Sequence, residues 1–523
     1  MFLLALVLVL CTAGAVSAAE NVLYIYSPTT GTSINTKLDH LWVNRGEIWK
    51  VLMFRSLFLP DPTLTTVSPD LASGYSISPD GLTYTITMKK GPTWHDGTPV
   101  TADDVVFSIT TALKAAQLNA IYGGVFSHIA GADDYRAGKA ATLAGLSAKG
   151  DVVTMKLDMK VGNAINVLGQ FAIYPKHLLK NENPLEIQNS TFWTKPVGNG
   201  MFRLEEFKPG NYAVFVPYEN YEGKKPKIAK LVLNAVSDPV VAAQKGQLDV
   251  FNTNATDQIA ELKKIRGFTA NPVDIMFYRY FVMNLKDANG KANPALADVR
   301  VRHALLHAID IKSIAEGLYP GLAALNYTGV PTGMAAYDKT SEVYEYNPEK
   351  AKQLLKEAGF DFSRTLKLRF YYADQTSINF MTAVAQYLAQ VGIKADVQKF
   401  QGDATTEIYK VRDHDLVLKG LSAFGFEEWY GEYASDNSNF VNILGKEGLF
   451  DDKIDELRKT TDPAQRAKIL ADLQKLEQKY LYKLPLFNLQ NIYFVNTAKV
   501  KTAGSFGNPW FNYDMQFADW EIK

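Results

Sequence analysis

The chain has 523 residues, more than one hydrophobic core supports, so at least two lobes are expected. A hydrophobic share of 47% with 21% charged residues describes a globular protein and excludes a disordered one. Lys+Arg and Asp+Glu balance at 55 each, so no net charge steers the chain to nucleic acid or to an anionic membrane.

Phe2 to Val9 is an unbroken apolar run, followed by small residues from Gly14 to Ala19. This pattern predicts a signal peptide over residues 1–19 and a mature chain starting near Glu20, although no Lys or Arg precedes the run. The run is too short to span a bilayer. Cys11, the only cysteine, follows Leu10 where a lipoprotein signal needs a small residue, so lipid anchoring is not expected. Its loss with the leader would leave no disulfide, thiolate metal site or cysteine nucleophile.

From Asn21 to about Asp274 the pattern is mostly β. "LTYTITMKK" places Leu82, Tyr84, Ile86 and Met88 on one face, and "VVTMKLDMK" repeats the alternation. "GPTWHDGTPVTADDVVFSI" (91–109) offers a Trp, a His and several acids in a short span. Thr101 with Asp104 three residues on is a capping pattern, however, and it opens a helix with an apolar stripe at Val105, Val106, Ile109 and Leu113. Carboxylates in a first helical turn complement the helix dipole, whereas a general acid needs a raised pKa. No G-x-S-x-G motif accompanies the cluster. Trp94, His95 and Asp96 are therefore read as structural.

From about Ile275 the pattern becomes α/β. "NPEKAKQLLKEAGF" predicts a helix capped by Asn347 and ended by Gly359. "LKLRFYYA", "INFMTAVAQYLAQVG" and "IKADVQKF" form a strand, a helix and a strand, predicting parallel strands with a right-handed crossover. "DLVLKGLSAF" predicts a further strand, and Asp462-Pro463 opens a long helix. In such lobes ligands lie beyond the strand ends. The tail from Leu484 turns strand-like again, and a return to the first lobe would give two crossings and a hinge. His303 and His307 stand four apart on a predicted helix without a Glu between them, and metal binding is not expected.

"WHDGTPVTADDVVFSI", "VGNGMFRLEEFKPGNYAVFVPYENYEGKKPKIAKL", "AAQKGQLDV", "DVRVRHALLHAIDIKSIAEGLYPGLAALNYTGVP" and "LPLFNLQNIYFVNTAKVKT" resemble, in order and spacing, segments of the family 5 extracellular solute-binding proteins. These are the dipeptide, oligopeptide and nickel receptors of bacterial ABC importers. The resemblance implies an α/β, two-lobed periplasmic-binding-protein fold of type II, with an extra subdomain and a two-strand hinge. Lobe I is expected over 20–274, with the subdomain at about 60–190, lobe II over 275–485, and the return to lobe I over 486–523. It further implies a periplasmic or extracellular monomer that closes on a small-molecule ligand and delivers it to ABC permease membrane subunits. No cofactor, metal, nucleic acid or enzymatic activity is implied.

Two ligands remain open. Peptide receptors of the family carry an acid for the peptide ammonium in a loop often reading Asp-Pro, which resembles "FGFEEWYGEYASDNSNF" here. Asp436 is the nearest acid, without a following Pro, and Glu427, Glu428 and Glu432 are close. The Arg that dipeptide receptors tend to use is missing from "YYADQTSIN". An oligosaccharide would instead stack on Trp429, Tyr430 and Trp510. The expected ligand-binding residues are thus Trp429, Tyr430, Asp436, Asn439 and Trp510, together with Ser27 and Thr29. A secreted hydrolase is the rival from another class and would need a paired carboxylate constellation.

Overall fold

The computed structural model describes residues 21–28, 38, 47–116, 118–286 and 290–523. The leader with Cys11, and Thr29, lie outside the described residues.

Two large sheets define two lobes. The first has seven strands in the order Phe268–Val273, Asn491–Asn496, Val250–Thr253, Val22–Pro28, Lys230–Val236, Tyr212–Pro217, Phe202–Lys208. The second has six, in the order Ala323–Leu325, Lys483–Leu489, Phe277–Met283, Leu416–Ser422, Thr365–Phe370, Lys394–Lys399. A four-stranded antiparallel sheet forms the subdomain of the first lobe: Ala72–Ile77, Thr83–Met88, Val152–Lys156 and Leu146–Lys149. Its alternation buries Tyr84, Ile86 and Met88 on one face against Val153 and Met155.

The α/β unit of the second lobe follows from its local sequence. Thr365–Phe370 and Lys394–Lys399 are parallel and joined by the helix Gln375–Gln390, whose N-cap Asp374 accepts the Ser377 N–H. Leu416–Ser422 adds in parallel on the other side of Thr365–Phe370. Asn347 caps Pro348–Glu357, and Asp462 caps Pro463–Tyr480, each through its side-chain oxygen. Gly359 takes the left-handed conformation (φ +65°) that lets the chain leave the first of these helices.

The chain crosses between lobes twice. It leaves the first sheet after Val273 and enters the second at Phe277, then returns between Leu489 and Asn491. The crossings are tied side by side: Gln490 Nε2 donates to Asp274 Oδ1 (2.5 Å) and Asn488 Nδ2 to the Ile275 carbonyl (3.1 Å). Two cross-linked extended segments form a natural hinge. Among the described residues no helix is long and apolar enough to cross a membrane.

Candidate functional site: a cavity between the lobes

The end of the strand Leu416–Ser422 projects toward the first lobe, where parallel strands present their ligand-facing loops. Beyond it lies a cavity of about 600 Å3. Leu421, Ser422 and Glu428 line it from lobe II, Tyr122 and Gln170 from the subdomain, and Trp510 and Phe511 from the C-terminal tail. The tail is held in place by reciprocal bonds: Asn512 N–H donates to Gln170 Oε1 (2.7 Å), and Gln170 Nε2 to the Asn512 carbonyl (2.8 Å). Trp510 is half-buried and meets Phe277 edge-on across the cleft, 5.3 Å between ring centroids. On the other flank of 421–428 is a smaller pocket of about 200 Å3, lined by Asn163 and Asn166 of the subdomain and by Glu427 and Arg466 of lobe II.

Glu428 is the acid of the larger cavity. It lies in the first turn of Phe426–Gly431, and its Oε2 accepts the Gly425 N–H at 2.9 Å. Burial, reinforced by the charge of Glu427, pushes its carboxyl up to about 8. Near neutral pH it is largely protonated. Glu427, in contrast, is committed to an ion pair with Arg466. The lobes also touch directly. The Gly162 N–H of the subdomain donates to the Arg458 carbonyl of lobe II, and Phe424 packs edge-on against Phe511 at 5.5 Å.

The structure corrects three expected ligand contacts, Trp429, Tyr430 and Asp436. Trp429 is fully buried within lobe II, where its indole N–H donates to Glu477 Oε1 (2.8 Å) and the Lys483 ammonium sits 3.5 Å from its ring centroid. Gly329 packs so tightly on this indole that a Cβ there would collide with it. Tyr430 is equally buried, with its hydroxyl directed at Glu477 Oε2 (3.3 Å). Neither ring has a face open to a sugar, because a buried carboxylate needs their donors. Asp436 stands exposed and pairs with Arg458 (3.2 Å), so it meets water rather than a buried ammonium. Asn439 is exposed in the turn after it. Ser27 is buried at the end of the first strand, and its hydroxyl has no partner among the described residues. Among the described residues named from the sequence as ligand contacts, Trp510 is the one that lines the cavity. Glu428, Tyr122, Gln170, Ser422 and Phe511 are among the residues that line it with Trp510.

The Trp-His-Asp-Gly segment lies elsewhere. Trp94 is fully buried. The Gly198 N–H donates to His95 Nδ1 (3.2 Å), which places the proton on Nε2, and that nitrogen donates to the Gly200 carbonyl (3.0 Å). Burial holds the imidazole down at about 4. Asp96 accepts the Thr98 N–H and bonds His177. The segment pins one turn to the next, with both ring nitrogens used. His307 likewise bonds the Glu345 carbonyl (2.8 Å), and among the described residues no three His, Cys, Asp or Glu gather as a metal site.

Comparison with known proteins adds the evolutionary frame. The family model of the bacterial extracellular solute-binding proteins, family 5 (middle region), matches residues 66–447. A Brucella ovis protein named for peptide binding in an ABC transporter is 29% identical over 356 residues, covering 66% of this chain and 63% of its own length. The chain thus spans just under two thirds of that relative. The oligopeptide-binding protein AppA of Bacillus subtilis is 28% identical over 434 residues, 75% of each chain. Its structure in complex with a nonapeptide superposes with a TM-score of 0.69 at 22% identity, covering 96% of this chain and 99% of the other. NikZ of Campylobacter jejuni, solved with Ni(L-His), gives 0.70 at 22% identity, covering 96% and 100%.

Proposed function

Because the chain belongs to the bacterial extracellular solute-binding proteins of family 5, we propose that it captures a short peptide between its lobes and delivers it to the membrane permease of an ABC transporter. The observation that carries this reading is the interlobe cavity, with Glu428 as its acid and Trp510 as its aromatic wall. A peptide ammonium beside Glu428 draws the proton off the carboxyl and forms an ion pair shielded from water. The half-buried rings of Trp510 and Phe511 offer apolar area to side chains of varied size. Relatives named for oligopeptide and ABC peptide binding support the same ligand class.

An oligosaccharide is less favoured, since Trp429 and Tyr430, the stacking rings it would need, belong to the core. The protein acts as an exported monomer that binds and releases without a catalytic step. The apolar leader at Phe2–Val9 directs it out of the cytoplasm.

Thermal-shift screening of the full chain against tri- to pentapeptides and against oligosaccharides tests the proposal. A ligand at one hundred times its Kd stabilises the folded state by about 2.7 kcal/mol. Peptides are expected to raise the melting temperature. A response to sugars alone overturns the peptide reading.

A further inference from the structure

The strand Phe277–Met283 reads F-Y-R-Y-F-V-M, one charge in an otherwise apolar and aromatic run. That charge, Arg279, is 8% exposed, and its Nε and Nη1 are buried with no acceptor among the described residues. The other buried arginines are all served. Arg55 pairs with Asp70 and Glu222, Arg369 pairs with Asp396, and Arg302 donates to the carbonyls of Leu296, Ala297 and Tyr480. A buried guanidinium left with free donors costs folding free energy, so its retention calls for a partner from outside the chain.

The surroundings hold it ready. The guanidinium carbon lies 3.9 Å from the Tyr372 ring centroid and 5.0 Å from that of Phe277. Such stacking uses the faces of the planar cation and leaves its N–H edge for a bidentate acceptor. Tyr372 is itself fixed: its hydroxyl is 3.0 Å from that of Tyr371, which accepts the Gly420 N–H at 3.1 Å. Gly420 faces Arg279 across the strand pair. A Cβ there would collide with the Tyr372 hydroxyl and come within 3.0 Å of Arg279 Nη1, so the glycine is what lets Tyr372 and Arg279 pack together over this strand. The nearby acid Asp374 is occupied by the Ser377 N–H and hydroxyl. Lys419, next on the neighbouring strand, is neutralised by Glu432.

The register sets Arg279 beside the cleft. Its neighbours Tyr278 and Phe277 lie opposite Leu421 and Ser422, which line the interlobe cavity, and Phe277 also meets Trp510. We infer that Arg279, stacked on Tyr372, is the seat of a carboxylate of the bound ligand, so that the protein selects ligands with an acidic group as well as an ammonium. This rests on the peptide reading above. The carboxylate belongs either to the peptide C-terminus or to an acidic side chain.

Calorimetric titration of the full chain separates these. The probes are Ala-Ala-Ala with a free C-terminus, Ala-Ala-Ala amide and Ala-Glu-Ala amide, against wild type, Arg279→Lys and Arg279→Gln. The free acid is expected to bind wild type at least about tenfold tighter than its amide. Arg279→Gln should abolish that preference and Arg279→Lys restore part of it. Tenfold recovery with Ala-Glu-Ala amide assigns the site to a side-chain carboxylate. Equal binding of all three by wild type, or a preference that survives in Arg279→Gln, overturns the inference and leaves the peptide reading intact. If no peptide binds, the peptide reading fails, and glutarate against 1,5-pentanediol decides the anion site alone. A melting temperature raised by glutarate only, and not in Arg279→Gln, supports it, while no rise overturns it. The unliganded Arg279→Gln protein should melt at or above wild type. A lower melting temperature with unchanged affinities marks Arg279 as structural and also overturns the inference.

Discussion

Replacing Glu428 by Gln should remove one pH-dependent contribution to the stability of the protein. In the native protein burial and the charge of Glu427 raise this carboxyl from 4.5 to about 8. Between those values the folded state holds a proton that the unfolded chain has released, so stability is full below about pH 4.5 and falls as the pH climbs to about 8. At about 1.4 kcal/mol per pH unit the full rise is worth about 5 kcal/mol, and partial exposure of the side chain reduces that to about 2–3 kcal/mol. Gln keeps the size and the acceptor for the Gly425 N–H but cannot ionise. The variant should therefore match wild type near about pH 5 and exceed it by about 2–3 kcal/mol near about pH 8. Urea unfolding followed by tryptophan fluorescence across that range reads the difference. His95 and Lys483 titrate in both proteins and cancel in the comparison. Binding supplies a second readout. A peptide ammonium that ionises Glu428 releases close to one proton near neutral pH, which appears as a buffer-dependent heat in wild type and not in Glu428→Gln. Parallel stability curves together with no proton release refute the assignment of Glu428 as the titrating acid of the site.

Trp429→Ala should destabilise lobe II by about 3–5 kcal/mol, because it opens a cavity and removes a donor from buried Glu477, while affinity in the folded fraction stays unchanged; a severe affinity loss at unchanged melting temperature would return Trp429 to the ligand. His95→Ala should lower the melting temperature without changing affinity. Wild type should lose the His95 contribution as pH falls from about 6.5 through about 4, since the unfolded chain takes up the proton first, and acid titration of the two proteins checks this. Gly162→Val should hinder closure, because a Cβ at this position lies 2.6 Å from the Thr460 carbonyl oxygen and 2.8 Å from that of Arg458. Affinity should drop about tenfold at unchanged melting temperature, and an unaltered affinity argues against this interlobe contact.

Local rules carried most of the architecture. Asn347, Asp462 and Thr101 cap the helices their spacing announces, and the period of two in 83–88 and 152–156 gives the buried faces seen in the subdomain. The site was harder to read, because its wall is assembled from 119–122, Gln170, 421–428 and 510–511, segments hundreds of residues apart. Trp429 shows the difficulty. A tryptophan just after a strand end reads as a cleft residue, yet its partner Glu477 arrives from a helix 48 residues later and draws it into the core. Asp436 is the acid the resemblance points to, but the helix Phe426–Gly431 brings Glu428 to the cavity while Asp436, beyond its end, stands in water beside Arg458. Arg279 carried a legible signal, a lone charge in an aromatic strand, whose meaning depends on its stacking on Tyr372 and on donors left without an acceptor among the described residues.

Small-angle scattering on the full chain, before and after saturation with a peptide identified by thermal shift, tests the central claim most directly. Two lobes joined by the crossings near Asp274 and Gln490 should swing together on the ligand, and the radius of gyration should fall in wild type and fall less in Gly162→Val. An unchanged wild-type profile at proven saturation contradicts capture by lobe closure.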